Sequence, residues 1–257
     1  MKRRLGQHFL DNPAVISRII QAAQLEPYDL VVEIGPGHGK MTKMLAEKAG
    51  RVIAIELDER LYDRLKRDLA GFGNIDLILA DALEFDYGGL PDFKVVANIP
   101  YYVTTPILFR LLEARRNLCS MTLTIQKEVA ERIVASPGGK DYGVLSIMVQ
   151  YYAVTHFAFV IPGEAFRPVP KVDSAVVHIR LLDRPSVEVR NEQLFFRIVK
   201  TAFSQRRKML SNSLKGMRGD PKEWLHKAAI DPDRRPESLH MEEFARLADV
   251  LSDMQPE

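Results

Sequence analysis

Cysteine, long apolar runs and internal repeats are scarce or missing in this chain, and each absence excludes a class of protein. Cys119 is the single cysteine among 257 residues, which excludes an internal disulfide and a cysteine metal cluster and favours a reducing compartment. Polar residues interrupt every apolar run well before the roughly 18 residues that a membrane-spanning helix requires. Lys2, Arg3 and Arg4 resemble the start of a signal peptide, but no apolar core segment follows them. These absences predict a cytoplasmic protein with no metal site.

Acidic residues are absent from Gln193 to Gly219, although the whole chain has a net charge of only +2. This segment and the start of the chain collect basic side chains: Lys2, Arg3, Arg4, Arg197, Lys200, Arg206, Arg207, Lys208, Lys215 and Arg218. Clustered cations are typical of nucleic-acid-binding proteins. A solvated helix face has the same composition, so charge alone does not decide between the two.

Short apolar strands alternate with amphipathic helices over the first half of the chain. The pattern predicts strands at residues 30–34, 51–56, 75–80 and 94–98. It predicts helices at 14–20, at 40–49, from the end of the second strand through 69, and at 105–114. Strands that alternate with helices pair in parallel through right-handed crossovers. The sequence therefore predicts an α/β fold with a Rossmann-like, doubly wound, mostly parallel sheet.

The pattern changes after this point. A strand at 121–126 and a helix at 127–135 are followed by two segments rich in Val, Ile, Tyr and His, at 146–159 and 174–182, which predict an antiparallel edge pair. A linker at 183–186 precedes two apolar stripes with helical spacing. We expect one domain over residues 1–183 and a small all-helical domain over 187–257. No long apolar stripe requires a dimer, which favours a monomer.

Polar residues follow the ends of four successive predicted strands. A glycine turn, residues 33–39, follows the first strand, and Glu56, Asp81 and Asn98 follow the next three. Glycine lets the backbone approach a ligand, and the helix start offers free N–H groups. Lys40 stands where a dinucleotide motif has its third glycine, so that motif is not met. Glu56 is placed to accept ribose hydroxyls and Asp81 an adenine amine, although each acid alone also fits a surface carboxylate or a helix cap.

Asn98, Ile99, Pro100 and Tyr101 combine two acceptors, a rigid proline and an aromatic face. The Asn98 amide oxygen and the Ile99 carbonyl can accept the two N–H bonds of an exocyclic base amine, while Tyr101 stacks on its ring. Such acceptors favour a pyramidal nitrogen with a localised lone pair, so a strong base is unnecessary. The alternative is a strand end followed by a proline turn.

With these residues assembled, the chain resembles the ribosomal RNA adenine dimethyltransferase family, and most closely its bacterial small-subunit branch. The matching segments, in order, are 5–10, the glycine turn, Glu56, Asp81, 98–101, 166–174 and 203–208. The resemblance implies transfer of methyl groups from S-adenosylmethionine to two adjacent adenosines near the 3′ end of small-subunit ribosomal RNA. It also implies a role in ribosome maturation, with the RNA bound inside an assembling subunit.

The resemblance further assigns roles to residues. Those implied to bind the cofactor are Gln7, His8, Leu10, Gly35, Gly37, Glu56, Asp81, Ala82 and Asn98. His8 replaces the Asn of many relatives, so we expect its backbone to make the contact. Phe166 is implied to face the target base opposite Tyr101, where a buried Phe before a proline-rich turn is the alternative. Arg206, Arg207 and Lys208 are implied to bind RNA, and the segment from Phe203 favours the small-subunit branch over the large-subunit resistance methyltransferases.

Two functions of other classes remain open from the residues. A nicotinamide or flavin oxidoreductase would share the glycine turn and Glu56 but would not explain Asn98 to Tyr101. A ribosome-assembly or transcription factor could keep the fold without catalysis, although the intact Asn98 to Tyr101 segment favours activity.

Overall fold

The computed structural model describes residues 8–217 and 219–254, and the chain forms two compact units. The first unit contains the described residues up to Ala130 together with Val154–Leu181. The second contains Glu131–Ala153 together with the residues from Leu182 onward. It is larger than the predicted helical domain because it includes the segment that ends at Ala153.

Strands of the described residues form one large and one small sheet. In chain order they are β1 (Phe9–Leu10), β2 (Leu30–Ile34), β3 (Arg51–Glu56), β4 (Ile75–Leu79), β5 (Phe93–Asn98), β6 (Leu118–Gln126), β7 (Ala153–Ile161), β8 (Phe166–Arg167) and β9 (Ser174–Leu181). The seven-stranded sheet has the order β4-β3-β2-β5-β6-β9-β7. Its first five strands are parallel and β9 is antiparallel to β6. The predicted doubly wound sheet with an antiparallel edge is confirmed.

Helices cover the sheet and build the second unit. In chain order they are α1 (Pro13–Ala22), α2 (Lys40–Ala46), α3 (Glu59–Asp68), α4 (Thr104–Glu113), α5 (Lys127–Val134), α6 (Val144–Tyr152), α7 (Glu192–Ser204), α8 (Leu210–Ser213), α9 (Pro221–Lys227) and α10 (Met241–Met254). The Asn12 side chain accepts the N–H groups of Ala14 and Val15 at the start of α1, where Pro13 takes the first position. None of the described helices combines the length and apolar character that a bilayer crossing requires.

The core of the first unit explains its strand pattern. All five residues of β2 are buried, and so are five of the six residues of β3. Ile16 and Ile19 of α1 pack with Leu45 of α2 over Val31 and Val96 of the sheet. Helices cover the parallel strands, so the strands are continuous apolar runs rather than alternating ones.

The predicted strand at 146–159 is wrong in its first half, because α6 runs to Tyr152 and β7 begins only at Ala153. The Ser146 hydroxyl accepts the Gly143 N–H at the start of α6 and donates to the Arg132 carbonyl. Val, Ile and Tyr in this segment favour a strand by propensity. Packing inside the second unit overrides that weak preference.

The second unit has an apolar core of its own, and the predicted helical C-terminal region is confirmed. Its largest buried side chains include Tyr142, Phe195, Trp224 and Phe244. Gly219 has a φ of 115°, and a Cβ there would lie 2.5 Å from the Trp224 ring. A glycine is thus required where the chain passes the indole.

Candidate active site

The carboxyl ends of four parallel strands meet at one edge of the large sheet. β2 ends at Ile34 before the glycine turn, β3 ends at Glu56, β4 ends at Leu79 just before Asp81, and β5 ends at Asn98. Glu56 and Leu79 are paired in the parallel register. The structure thus aligns these predicted site residues along the edge where open α/β sheets bind ligands.

The glycine turn shapes the space at this edge. Gly35 and Gly37 have φ angles of 69° and 57°, a region that favours glycine. A Cβ at Gly35 would have no atom within 4 Å, whereas one at Gly37 would lie 2.9 Å from Phe9 Cδ1. Gly37 therefore lets β1 approach the turn, and Gly35 leaves room for a ligand.

Two adjoining cavities share this turn. The first cavity is lined by His8, Phe9, Gly35, Gly37, Asn98, Ile99, Pro100, Tyr101 and Phe166. The second cavity is lined by Phe9, Leu10, Asp11, Ile16, Glu33, Gly35, Pro36, Gly37, His38, Lys40, Met41 and Asn98. The structure therefore brings the glycine turn, the Asn98 to Tyr101 segment and Phe166 together around one space.

Asn98 is held in a defined orientation. Its Nδ2 donates to the His8 carbonyl at 3.0 Å. The amide nitrogen is used in this bond, so Oδ1 is left as an acceptor. The Ile99 N–H donates to the Thr124 carbonyl of β6 at 3.1 Å. These two bonds fix the turn that presents both predicted acceptors.

Aromatic rings flank the first cavity. The hydroxyls of Tyr101 and Ser174 share a hydrogen bond of 2.8 Å, which anchors the Tyr101 ring. The His8 ring lies 5.5 Å from the Tyr101 ring, between centroids. Phe166 is only 1% exposed and belongs to the core of the first unit, yet it also lines the cavity. Phe166 is thus buried and still borders the cavity.

Glu56 is buried and already accepts hydrogen bonds from the backbone. Its carboxylate accepts the N–H groups of Gly37 at 3.2 Å, Leu57 at 3.0 Å and Asp58 at 2.9 Å. Burial nevertheless raises the pKa of Glu56 above its ordinary value. A carboxylate has about four acceptor positions, so these bonds leave room for one further donor. Glu56 lines neither of the two cavities.

Asp81 lies in a turn after β4. Its Oδ1 accepts the Leu83 N–H at 2.8 Å, and the Ala82 carbonyl accepts the Tyr87 hydroxyl at 2.9 Å. Oδ2 of Asp81 makes no hydrogen bond to a residue that the structure describes. Asp81 and Ala82, like Glu56, line neither cavity.

Glu33 lines the second cavity and was not among the predicted site residues. It is fully buried at the end of β2, and neither of its carboxyl oxygens has a hydrogen-bond partner among the described residues. Burial raises the pKa of Glu33 to about 8, the Thr42 hydroxyl opposes this shift, and Glu56 adds to it. The Thr42 hydroxyl makes no hydrogen bond to the Glu33 carboxyl. The sequence does contain a signal for this residue, because an acidic side chain inside an apolar strand, just before a glycine turn, is unusual.

The contacts of the N-terminal segment were also missed. β1 pairs with β8, which places Leu10 opposite Phe166. The His8 Nδ1 donates to the Pro168 carbonyl at 2.7 Å, and the Phe9 ring stacks on His38 at 4.1 Å. Strands of two residues are too short for any periodicity, so no local pattern predicts this pairing.

The predicted RNA-binding residues differ in exposure. Arg206 is half-buried, and its Nη2 donates to the Gly139 carbonyl at 3.2 Å within the second unit. Arg207 and Lys208 are exposed. Gln7, the basic residues at positions 2–4 and Arg218 lie outside the described residues. In the described part of the chain, no group of three or more His, Cys, Asp or Glu side chains is arranged to hold a metal ion.

Comparisons with known proteins agree with this geometry. The family model for ribosomal RNA adenine dimethylases matches residues 1–253. A ribosomal RNA small subunit methyltransferase A from Moorella thermoacetica is 46% identical over 266 residues, which cover 97% of this chain and 92% of the relative. A protein of the same name from Clostridium botulinum is 45% identical, with 98% and 94% covered.

Two solved structures are similar over nearly the whole chain. A dimethyladenosine transferase from Plasmodium falciparum has a TM-score of 0.82 at 27% identity and covers 93% of this chain and 96% of its own. The 23S rRNA methyltransferase ErmE has a TM-score of 0.76 at 30% identity, with 95% and 99% covered. Together with the family match, these likenesses show that the chain belongs to the ribosomal RNA adenine dimethylase family.

Proposed function

We propose that this protein transfers methyl groups from S-adenosylmethionine to the exocyclic amines of two adjacent adenosines near the 3′ end of small-subunit ribosomal RNA. Membership of a methyltransferase family implies a cofactor of the S-adenosylmethionine type. The names of the two relatives described above support the small subunit as the source of the RNA. We further propose that the protein acts as a cytoplasmic monomer on an assembling subunit, during ribosome maturation.

The observation that carries the proposal is the fixed orientation of Asn98 beside Tyr101 in the first cavity. The bond from Asn98 Nδ2 to the His8 carbonyl reserves Oδ1 for a donor, and Tyr101 is held by Ser174. One amide acceptor, one carbonyl acceptor and an anchored ring suit an aryl amine such as that of adenine.

The residues at the strand ends fit an S-adenosylmethionine-type cofactor. Gly35 leaves open space where a Cβ would project, and the buried Glu33 carboxyl lacks a partner beside the second cavity. The chain's residues proposed to hold it are Gln7, His8, Leu10, Gly35, Gly37, Glu56, Asp81, Ala82 and Asn98. When bound, this cofactor supplies an electrophilic methyl group.

The residues of the first cavity orient the amine rather than react with it. Asn98 Oδ1 and the Ile99 carbonyl accept its two N–H bonds, which favours a pyramidal nitrogen whose lone pair is localised on nitrogen rather than delocalised into the ring. Tyr101 and Phe166 hold the base plane, and positioning of this kind supplies much of the rate. The nitrogen becomes strongly acidic once alkylated, so water suffices to remove its proton. A base paired inside a helix cannot reach the acceptors, so the adenosine is flipped out or unpaired.

The helical second unit is proposed to bind the surrounding RNA backbone. Arg207 and Lys208 are exposed and follow α7 in a segment without acidic residues. Arg206 supports this segment by its bond to the Gly139 carbonyl. Exposed cations of this kind contribute affinity through phosphate contacts, without reading sequence.

Mapping of the modified bases tests the proposed function. Unmodified small subunits are incubated with labelled S-adenosylmethionine and the protein, and the methylated positions are identified. We expect dimethyladenosine at two adjacent positions near the 3′ end of the RNA. Label at another site, or binding of NADH without binding of S-adenosylhomocysteine, would overturn the proposal.

A further inference from the structure

An exposed aromatic side chain follows Tyr101, which lines the first cavity. Tyr102 is 57% exposed, although it follows Tyr101 in the same short 3-10 turn. Val169 and Val172, in the loop after Phe166, are 54% and 47% exposed. Large apolar side chains that remain exposed next to a binding site are often part of a contact surface.

Tyr102 and the loop with the two valines both adjoin Tyr101. Tyr102 follows Tyr101 in the chain, and the Tyr101 hydroxyl bonds to Ser174, the first residue of β9. Val172 is two residues before Ser174 in the same loop. A polynucleotide strand that enters the cavity would therefore pass exposed apolar side chains next to its flipped base.

The side chains next to the cavity differ in what they offer to RNA. Lys171, between Val169 and Val172, is exposed and offers a cation to a phosphate. Tyr102 offers an exposed aromatic ring, and the Asp81 carboxylate that contributes to its raised pKa would repel a phosphate. A flat, uncharged nucleobase is therefore the part of RNA that suits Tyr102, since stacking on an aromatic ring needs no cation.

We propose that Tyr102 is a second stacking surface, which holds the nucleotide next to the adenosine in the first cavity. The inference rests on the proposed function and deepens it, because two adjacent adenosines must enter the same cavity in turn. While one adenine lies against Tyr101, its neighbour stacks on Tyr102. Tyr102 is thus a positioning residue for the RNA and does not touch the reacting atoms.

Three variants test this assignment. Tyr102→Ala removes the ring, and Tyr102→Phe keeps the ring without the hydroxyl. Tyr28→Ala is the matched control, because Tyr28 is also an exposed tyrosine, at 83%. Tyr28 lies in the turn before β2, at the opposite ends of the strands from the cavity. Loss of one stacked base is expected to raise the KM for unmodified small subunits by roughly 5- to 100-fold. Single-turnover rate at saturation changes less, and Tyr102→Phe and Tyr28→Ala remain close to wild type.

Affinity for S-adenosylhomocysteine, measured by calorimetry, separates an effect on RNA binding from an effect on cofactor binding. We expect Tyr102→Ala to bind it as wild type does. A KM within twofold of wild type in Tyr102→Ala, or a loss of S-adenosylhomocysteine affinity as large as the rise in KM, would overturn the assignment. If the wild-type protein leaves the subunits unmethylated, the proposed function fails, whatever the role of Tyr102. Direct binding of subunits by Tyr102→Ala and by Tyr28→Ala then still decides whether Tyr102 contacts the RNA.

Discussion

The sheet edge of the first unit and the basic segment of the second unit use polar residues in opposite ways. At the edge, Glu33 and Glu56 are buried, and Glu56 and Asn98 are tied to backbone groups. In the basic segment, Arg207 and Lys208 are exposed. A site that orients one amine depends on a few fixed atoms, whereas a surface that binds a backbone depends on the number of charges. Single substitutions should therefore have large effects on the first region and graded effects on the second.

The largest effect is expected at Asn98. Asn98→Ala removes one acceptor for the amine and should lower the single-turnover methylation rate roughly 100- to 1000-fold, the usual size for a preorganised polar partner. Asn117→Ala is the matched control, because the Asn117 amide also donates to backbone carbonyls, those of Gly88 and Leu90. We expect Asn117→Ala to keep its rate once folded. A rate for Asn98→Ala within threefold of wild type would remove the basis of the mechanism.

A smaller loss is expected in cofactor affinity. Asp81→Ala and Glu56→Ala should each weaken S-adenosylmethionine binding by roughly tenfold to a hundredfold, because a buried donor of the ligand loses its acceptor. Asp86→Ala is the matched control for loss of a turn hydrogen bond. Asp86 Oδ1 accepts the Gly88 N–H in the same way that Asp81 Oδ1 accepts the Leu83 N–H. Calorimetry that shows equal affinity for Asp81→Ala and Asp86→Ala would exclude Asp81 from the cofactor site.

In the basic segment the effect should be graded. Each lost phosphate contact reduces the salt slope of log affinity by roughly 0.7 to 0.9. Replacement of Arg207 and Lys208 together by Gln should therefore lower the slope by about 1.4 to 1.8, with unchanged S-adenosylmethionine affinity. Adding Arg206→Gln should also cost thermal stability, because its bond to the Gly139 carbonyl is lost.

The exposed pair Lys66 and Arg67 of α3 is the matched control for this charge change. We expect its double Gln variant to bind small subunits with the wild-type slope. Equal slopes for the two double variants would show that the segment at Arg207 is not the RNA surface.

The smallest effect on activity is expected from pH, which acts on stability instead. Burial raises the pKa of Glu33 to about 8 from an ordinary value of 4.5, so the folded state holds an extra proton between these values. Stability, and with it Tm, should therefore fall as pH rises through this window. Glu33→Gln should show a flatter profile in thermal unfolding between these two pH values. An equally steep fall in Glu33→Gln would assign the pH dependence to other groups.

Local patterns predicted the large sheet and its strand ends, because β2, β3 and β5 are apolar runs bounded by turns. Because the strands were predicted to be parallel, Glu56, Asp81 and Asn98 were predicted to lie at the same edge of the sheet. The β1–β8 pairing and helix α6 were not predictable in this way. Each depends on contacts between distant segments, such as Leu10 with Phe166.

A comparison of two variants on the same preparation of unmodified small subunits tests the central claim most directly. Single-turnover methylation rate at saturating subunits and the salt slope of binding are measured for Asn98→Ala and for the Arg207→Gln, Lys208→Gln double variant. We predict that Asn98→Ala loses rate and keeps the wild-type slope, while the double variant keeps its rate and loses slope. If both variants lose rate and slope together, orientation of the amine and binding of the RNA are not separate properties of the two regions, and the account is contradicted.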